Sequence, residues 1–133
     1  GLIGIKEFQP VEIVKIVTRK KVHIAPPNYY NVLIVRSKAR VDEIKSEFVR
    51  EGEIKCDFCK RGGIIKSFKG IHLLQDTWSG EDIFFPTGLS GIVVVSQRFV
   101  DFVNSNNFTN IIFTPSEQFI TSWVRNALKY KNQ

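Results

Sequence analysis

The chain has no methionine, even at its first position, and only two cysteines among 133 residues. No apolar run approaches the roughly 20 residues of a membrane-spanning helix. The longest, near Ile92 to Val95, is strand-sized. Two cysteines so close in sequence cannot make the disulfide framework of a small secreted protein. A signal-peptide pattern is also missing, because Leu2 to Ile5 is too short for its apolar region. These absences point to a reducing, cytoplasmic setting and to no membrane partner. The missing methionine sets a further expectation, that residues 1–133 form a single domain at the C-terminal part of a longer protein.

Catalytic patterns are lacking too. No Ser/His/Asp or Cys/His order stands out, so an acyl-transfer enzyme has no support. Gly62-Gly63 lacks the surrounding spacing of a phosphate loop. Glu81-Asp82 could be a general acid/base pair, but adjacent carboxylates beside Gly80 read better as a cap. His72, between Ile71 and Leu73, reads as a sheet histidine, and His23 beside Lys20 and Lys21 as a surface one. The expectation is a protein that is not an enzyme.

What is present is ordinary in bulk: 43% hydrophobic and 24% charged residues, with a net charge of +6. That excess admits nucleic acid, an anionic lipid face or an acidic protein as partner classes. The basic residues are spread along the chain and interleaved with acids, a distribution that aids solubility without defining a site.

Leu2 to Lys21 is rich in β-branched residues and reads as extended structure interrupted at Pro10. Ala25-Pro26-Pro27-Asn28 is a turn, and Tyr29 to Val35 a strand. Val41 to Arg50 fits one or two helical turns, since Ile44 and Phe48 are four apart. Ile71 to Leu74 and Ile111 to Phe113 are strand-like, and Ile92 to Val95 a buried strand. Thr77 to Gly91 looks like a long ordered loop with a short turn at Glu81 to Phe84. Ser96 caps a helix to Asn104 whose apolar side carries Phe99, Phe102 and Val103. Thr114-Pro115-Ser116-Glu117 looks like a capping box opening a second helix to Lys129, with Phe119 and Trp123 stacked. The fold class expected is α+β: a mainly antiparallel sheet with two packed helices, about 96–104 and 116–129, and a knuckle loop. Phe8-Gln9-Pro10-Val11-Glu12 and Phe113-Thr114-Pro115-Ser116-Glu117 share Phe-x-Pro-x-Glu, which raises an internal repeat.

The knuckle is Cys56-Asp57-Phe58-Cys59. A Cys-x-x-Cys turn lets two thiolates reach one metal, but a closed zinc site needs four ligands. His23 and His72 lack a finger-like spacing. The site is therefore incomplete, and either no cofactor or a weakly or incompletely bound zinc is expected. A redox pair is less favoured, because Lys60-Arg61-Gly62-Gly63 is a poor helix start. Lys60, Arg61, Lys66 and Lys69 cluster around the knuckle as candidates for anion or partner binding. A zinc-ribbon-like nucleic-acid-binding module is the alternative function they support, with Phe58 and Phe68 as stacking candidates.

The order of motifs is more specific than any one of them. The knuckle is followed by Gly80-Glu81-Asp82-Ile83-Phe84, then Gly88-Leu89-Ser90-Gly91-Ile92-Val93-Val94-Val95-Ser96-Gln97-Arg98-Phe99, then Phe108 to Pro115. This series resembles the second half of the double Cys-x-x-Cys-Gly motif proteins, related to immunity proteins of bacterial polymorphic and contact-dependent toxin systems. The resemblance covers about residues 30–123. Lys60 stands where that group usually has glycine, Gln97 replaces an acidic residue, and the first Cys-x-x-Cys-Gly is absent. The resemblance implies a non-catalytic immunity protein that binds and neutralises a cognate toxin. It also implies structural roles for its motif residues: Asp82 as a cap, Phe84 and Phe99 in the core, and Arg98 in an ion pair; Ser96 and Pro115 belong to the same structural motifs.

Overall fold

The computed structural model describes residues 1–17, 25, 27–58, 60 and 62–120. Ile5–Val11 (β1) and Tyr29–Arg40 (β2) form an antiparallel pair, with Phe8 opposite Val32, Pro10 opposite Tyr30 and Val11 opposite Tyr29. Pro10 does not interrupt β1. That strand lies at the sheet edge, where a missing N–H can face away from the ladder. Val49–Ile54 (β3) and Gly62–Ser67 (β4) make a separate antiparallel ribbon, and the knuckle sits at its turn. Ile83–Thr87 (β5) returns beside β2 in parallel, with Val35 opposite Phe84 and Arg36 opposite Phe85. Val94–Val95 (β6) closes the other edge, antiparallel to β5. The larger sheet therefore runs β1-β2-β5-β6 and is mixed.

One α-helix is present among the described residues, Gln97–Ser105 (α1). Ser96 caps it: its Oγ accepts from the Phe99 N–H at 3.2 Å, and its carbonyl accepts from the same N–H at 3.1 Å. Val103 is the residue α1 buries.

The core lies between the β3–β4 ribbon and the loops around β5. Val41, Phe68, Ile71 and Leu89 are buried together, with Phe48, Ile65, Ile92 and Phe119 packed against them. Phe68 is flanked by the Phe48 ring at 5.0 Å and the Phe119 ring at 6.3 Å between centroids. Aromatic clusters of this kind supply large apolar area together with favourable ring contacts.

The expected mainly antiparallel sheet with two packed helices is not what forms. The architecture is mostly β, in two sheets, with a parallel pair at the centre of the larger one. The expected second helix is replaced at its start by a 3-10 turn at Ser116–Gln118. The Ser116 carbonyl accepts from Ile71 N–H at 2.7 Å and from Phe119 N–H, three residues ahead, at 3.2 Å. Phe119 then turns extended, with φ −71° and ψ 124°, and its ring reaches Phe68. The remainder of that expected helix, 121–129, lies outside the described residues.

The β5 segment forms a strand where Pro86 among glycines predicts a loop. The proline is tolerated for a positional reason. The β2 register slips between Arg36 and Arg40, and β6 pairs no further than Ile83 and Phe84. Pro86 falls in that break. The strand expected at Ile111 to Phe113 does not form. Val41 to Arg50 holds a single turn, in which Asp42 Oδ1 accepts from the Ile44 and Lys45 N–H groups at 3.1 and 3.0 Å. The two Phe-x-Pro-x-Glu segments share no structure: one is the edge strand, the other a loop entering the 3-10 turn.

Candidate functional site

Asp82 is the most heavily engaged charged side chain. It is 2% exposed, just before β5. Its Oδ2 accepts from Ile3 N–H at 2.7 Å, and its Oδ1 from Ser96 Oγ at 2.7 Å and Arg98 Nε at 2.9 Å. The Arg98 Nη2 closes a bidentate fork on Oδ2. The pair is asymmetric, the Arg98 side chain being 59% exposed and that of Asp82 3%. Hydrogen bonding from Arg98, with smaller help from Ile3, Ser96 and the arginine charge, holds the Asp82 carboxyl far below the usual range against the opposing effect of burial. One carboxylate thus joins the start of the chain, β5 and the head of α1. Asp82 does not cap a helix of its own; it orients Ser96, which does. Phe84 is buried at 1% exposure, whereas Phe99 is half-buried with its ring edge-on to Phe113 at 6.3 Å. Pro115 is exposed and precedes the 3-10 turn.

The neighbouring carboxylate has a different environment. Glu81 accepts from Ser37 Oγ at 2.9 Å and Ser79 N–H at 3.2 Å, while its carbonyl accepts from Trp78 Nε1 at 3.1 Å. Each acid is held in its own hydrogen-bond set, so the two are not arranged as a general acid/base couple.

At the knuckle, Cys56 is half-buried; Cys59 and Arg61 lie outside the described residues, as does His23. Arg40 reaches the loop from β2, its guanidinium 5.1 Å from the centre of the Phe58 ring and its Nη2 3.4 Å from the Asp57 carbonyl. No group of three or more His, Cys, Asp or Glu side chains is placed to hold a metal ion among the described residues. His72 sits elsewhere, donating its N–H to Ser46 Oγ at 3.0 Å beside an open cavity of about 310 Å³ lined by Lys45, Leu73 and Ser116.

The three described lysines of the basic cluster each have a carboxylate partner. Lys60 pairs with Asp57 at 3.6 Å, Lys69 with Glu47 at 2.6 Å, and Lys66 with Glu51. Cations already paired with carboxylates make a poor phosphate track.

A surface that sequence reading missed lies on the β1–β2 pair. Side chains alternate along a strand. Ser37 and Ala39 of β2 are buried, so Tyr30, Val32, Ile34, Arg36 and Lys38 form the opposite row. Phe8 and Pro10 of β1 stand in register beside Val32 and Tyr30. Phe8 is 57% exposed and Tyr30 55%. Neither Phe8 to Val11 nor Tyr29 to Val35 contains a charged residue. The period of two in Tyr30, Val32 and Ile34 is visible in the sequence, but a run of apolar residues on both faces hides which face is open.

The chain matches the Immunity protein family (Imm11) over residues 4–118. No curated protein and no solved structure matches it.

Proposed function

The chain belongs to the Imm11 family of immunity proteins, and on that premise we propose that it neutralises one cognate toxin domain by binding it, with no turnover of a substrate. Its role is that of a bacterial immunity protein. The observation that carries the reading is the extent of the match. Residues 4–118 take in every strand from β1 to β6, α1 and the 3-10 turn, so the family likeness covers the whole described fold and not one motif.

Several features support inhibition by binding. The adjacent acids Glu81 and Asp82 are consumed in structural hydrogen bonds. A rigid scaffold with one complementary face suits a protein whose task is to occupy another's surface. The paired lysines around the knuckle take away the support for nucleic-acid binding. Among the described residues no helix is long and apolar enough to cross a membrane. The cytoplasmic setting is part of our proposal and rests on the two closely spaced cysteines, which make no disulfide framework. We retain Cys56 and Cys59 as markers of the wider double Cys-x-x-Cys-Gly group, with no cofactor or with zinc bound weakly or incompletely. Metal analysis of the purified chain should then give well under one zinc per molecule; a stoichiometric ion that resists chelation would refute that part.

The principal test is direct. The purified chain is mixed with the toxin domain encoded beside it, and binding is followed by calorimetry. A complex at micromolar affinity or tighter is expected, together with loss of toxin activity. Absence of binding at micromolar concentrations overturns the proposal.

A further inference from the structure

The outer face of the β1–β2 pair is apolar at one end and cationic at the other. Phe8, Pro10, Tyr30 and Val32 occupy the far end, and Arg36 and Lys38 follow on the same row of β2 where the strand meets β5. An ordinary two-layer domain buries an apolar sheet face beneath a helix or a second sheet. Here β1 packs on β2, and Phe8, Tyr30 and Val32 remain 57%, 55% and 38% exposed. Among the described residues no ion pair takes up Arg36 or Lys38, nor Lys6 at the bulge of β1.

We propose that this face is the toxin-docking surface, and that it fits a toxin surface with an apolar patch flanked at one end by carboxylates. The inference rests on the immunity reading above. Its pattern suits a specific interface: a charge-free patch containing aromatic anchors, flanked at one end by cations. Tyr30 and Phe8 are the anchors, since a rigid aromatic ring contributes much contact area at little entropic cost. Arg36 and Lys38 supply the margin and demand acidic partners. The row carries no acid of its own within the two strands. A second copy packed face to face would therefore present these cations with no matching carboxylate from the same rows, because an isologous contact meets itself. A nucleic acid would lay phosphates over the uncharged strip, where no cation waits for them.

The test compares variants with the unaltered chain against the toxin domain encoded beside it. The double variant F8S/Y30S should weaken binding about a hundredfold, in the range of paired hot-spot losses. The charge-reversed R36E/K38E should weaken it by about tenfold or more, chiefly by slowing association. K45E, on the exposed turn before β3, should bind as the unaltered chain does. R36E/K38E changes exposed side chains alone, so it remains informative if F8S/Y30S unfolds. If the unaltered chain binds and both double variants bind equally well while folded, the docking inference is overturned and the immunity reading survives. If the unaltered chain does not bind, the immunity reading itself falls. Sedimentation showing a dimer of the unaltered chain that F8S/Y30S dissolves, with toxin binding unchanged, would assign the face to self-association and also overturn the inference.

Discussion

At the scale of single residues, Asp82 concentrates the most consequence. Its carboxylate accepts from Ile3, Ser96 and Arg98, so a substitution disturbs the chain start, β5 and α1 together. Asp82→Asn should cost about 3 kcal/mol of unfolding free energy, the low end for breaking a buried pair, because exposed Arg98 can regain water. The folded carboxyl lies well below the unfolded value of about 3.9, so its contribution is complete above that value and lost as pH falls toward the folded value. Denaturant titrations of both proteins should therefore show a wide stability gap at neutral pH that narrows below about pH 4. A gap independent of pH would contradict this account. Gly4 gives a second residue-level expectation. It is buried at φ +114°, and a Cβ there would collide with the Ile83 carbonyl. Gly4→Ala should lower the unfolding midpoint markedly, whereas Gly80→Ala, with open space around it and φ +92°, should cost roughly 1 kcal/mol from backbone strain alone. The order of motifs in the sequence is enough to single out Asp82 and Arg98. That Ile3 shares the same carboxylate is not legible there, because 79 residues separate the two in the chain.

At the scale of elements, α1 is readable in the sequence, whereas the expected start of a second helix forms a 3-10 turn, although both segments carry a serine at the right place. The difference is tertiary. Ser96 is free to cap because Asp82 accepts its hydroxyl hydrogen while its oxygen accepts from Phe99. Ser116 gives its carbonyl to Ile71, and Gly70 lets the Glu117 backbone approach so closely that a Cβ would lie 2.5 Å from the Glu117 carbonyl. Local capping signals cannot report a partner more than forty residues away. Pro86 misleads for a similar reason: its place in β5 depends on a register slip in β2 that leaves no trace in the sequence. The cap itself is testable. Ser96→Ala removes the side-chain acceptor for Phe99 N–H and a donor to Asp82, and should cost about 1–2 kcal/mol, while Ser96→Asp would place a second carboxylate against Asp82 and do no better. Thermal unfolding followed by circular dichroism separates these outcomes. A neutral Ser96→Ala would mean that the Asp82 network does not depend on α1.

At the scale of the whole molecule, the net charge of +6 says little without the ion pairs. Lysines that look like a basic patch around the knuckle are paired with Asp57, Glu51 and Glu47. Arg36 and Lys38, inconspicuous in the sequence, have no such partner among the described residues and border an exposed apolar strip. Function at family level is legible from the order of short motifs. The face is not, because which side of β2 meets solvent is set by what covers Ser37 and Ala39. This division of labour makes a kinetic prediction. Charges at an interface margin act mainly on encounter, and an apolar centre acts mainly on residence. Raising ionic strength from about 0.02 M to 0.5 M should slow association with the toxin domain roughly tenfold or more, as screening shortens the reach of Arg36 and Lys38. Dissociation should hardly change, because Phe8, Tyr30 and Val32 carry no charge. Stopped-flow association and dissociation traces over that salt range provide the measurement. In R36E/K38E the association rate should lose its fall with salt, and in F8S/Y30S the dissociation rate should rise while the salt dependence persists. An association rate indifferent to salt in the unaltered chain would show that the two cations do not face the partner, and the charge half of the docking surface would have to be abandoned.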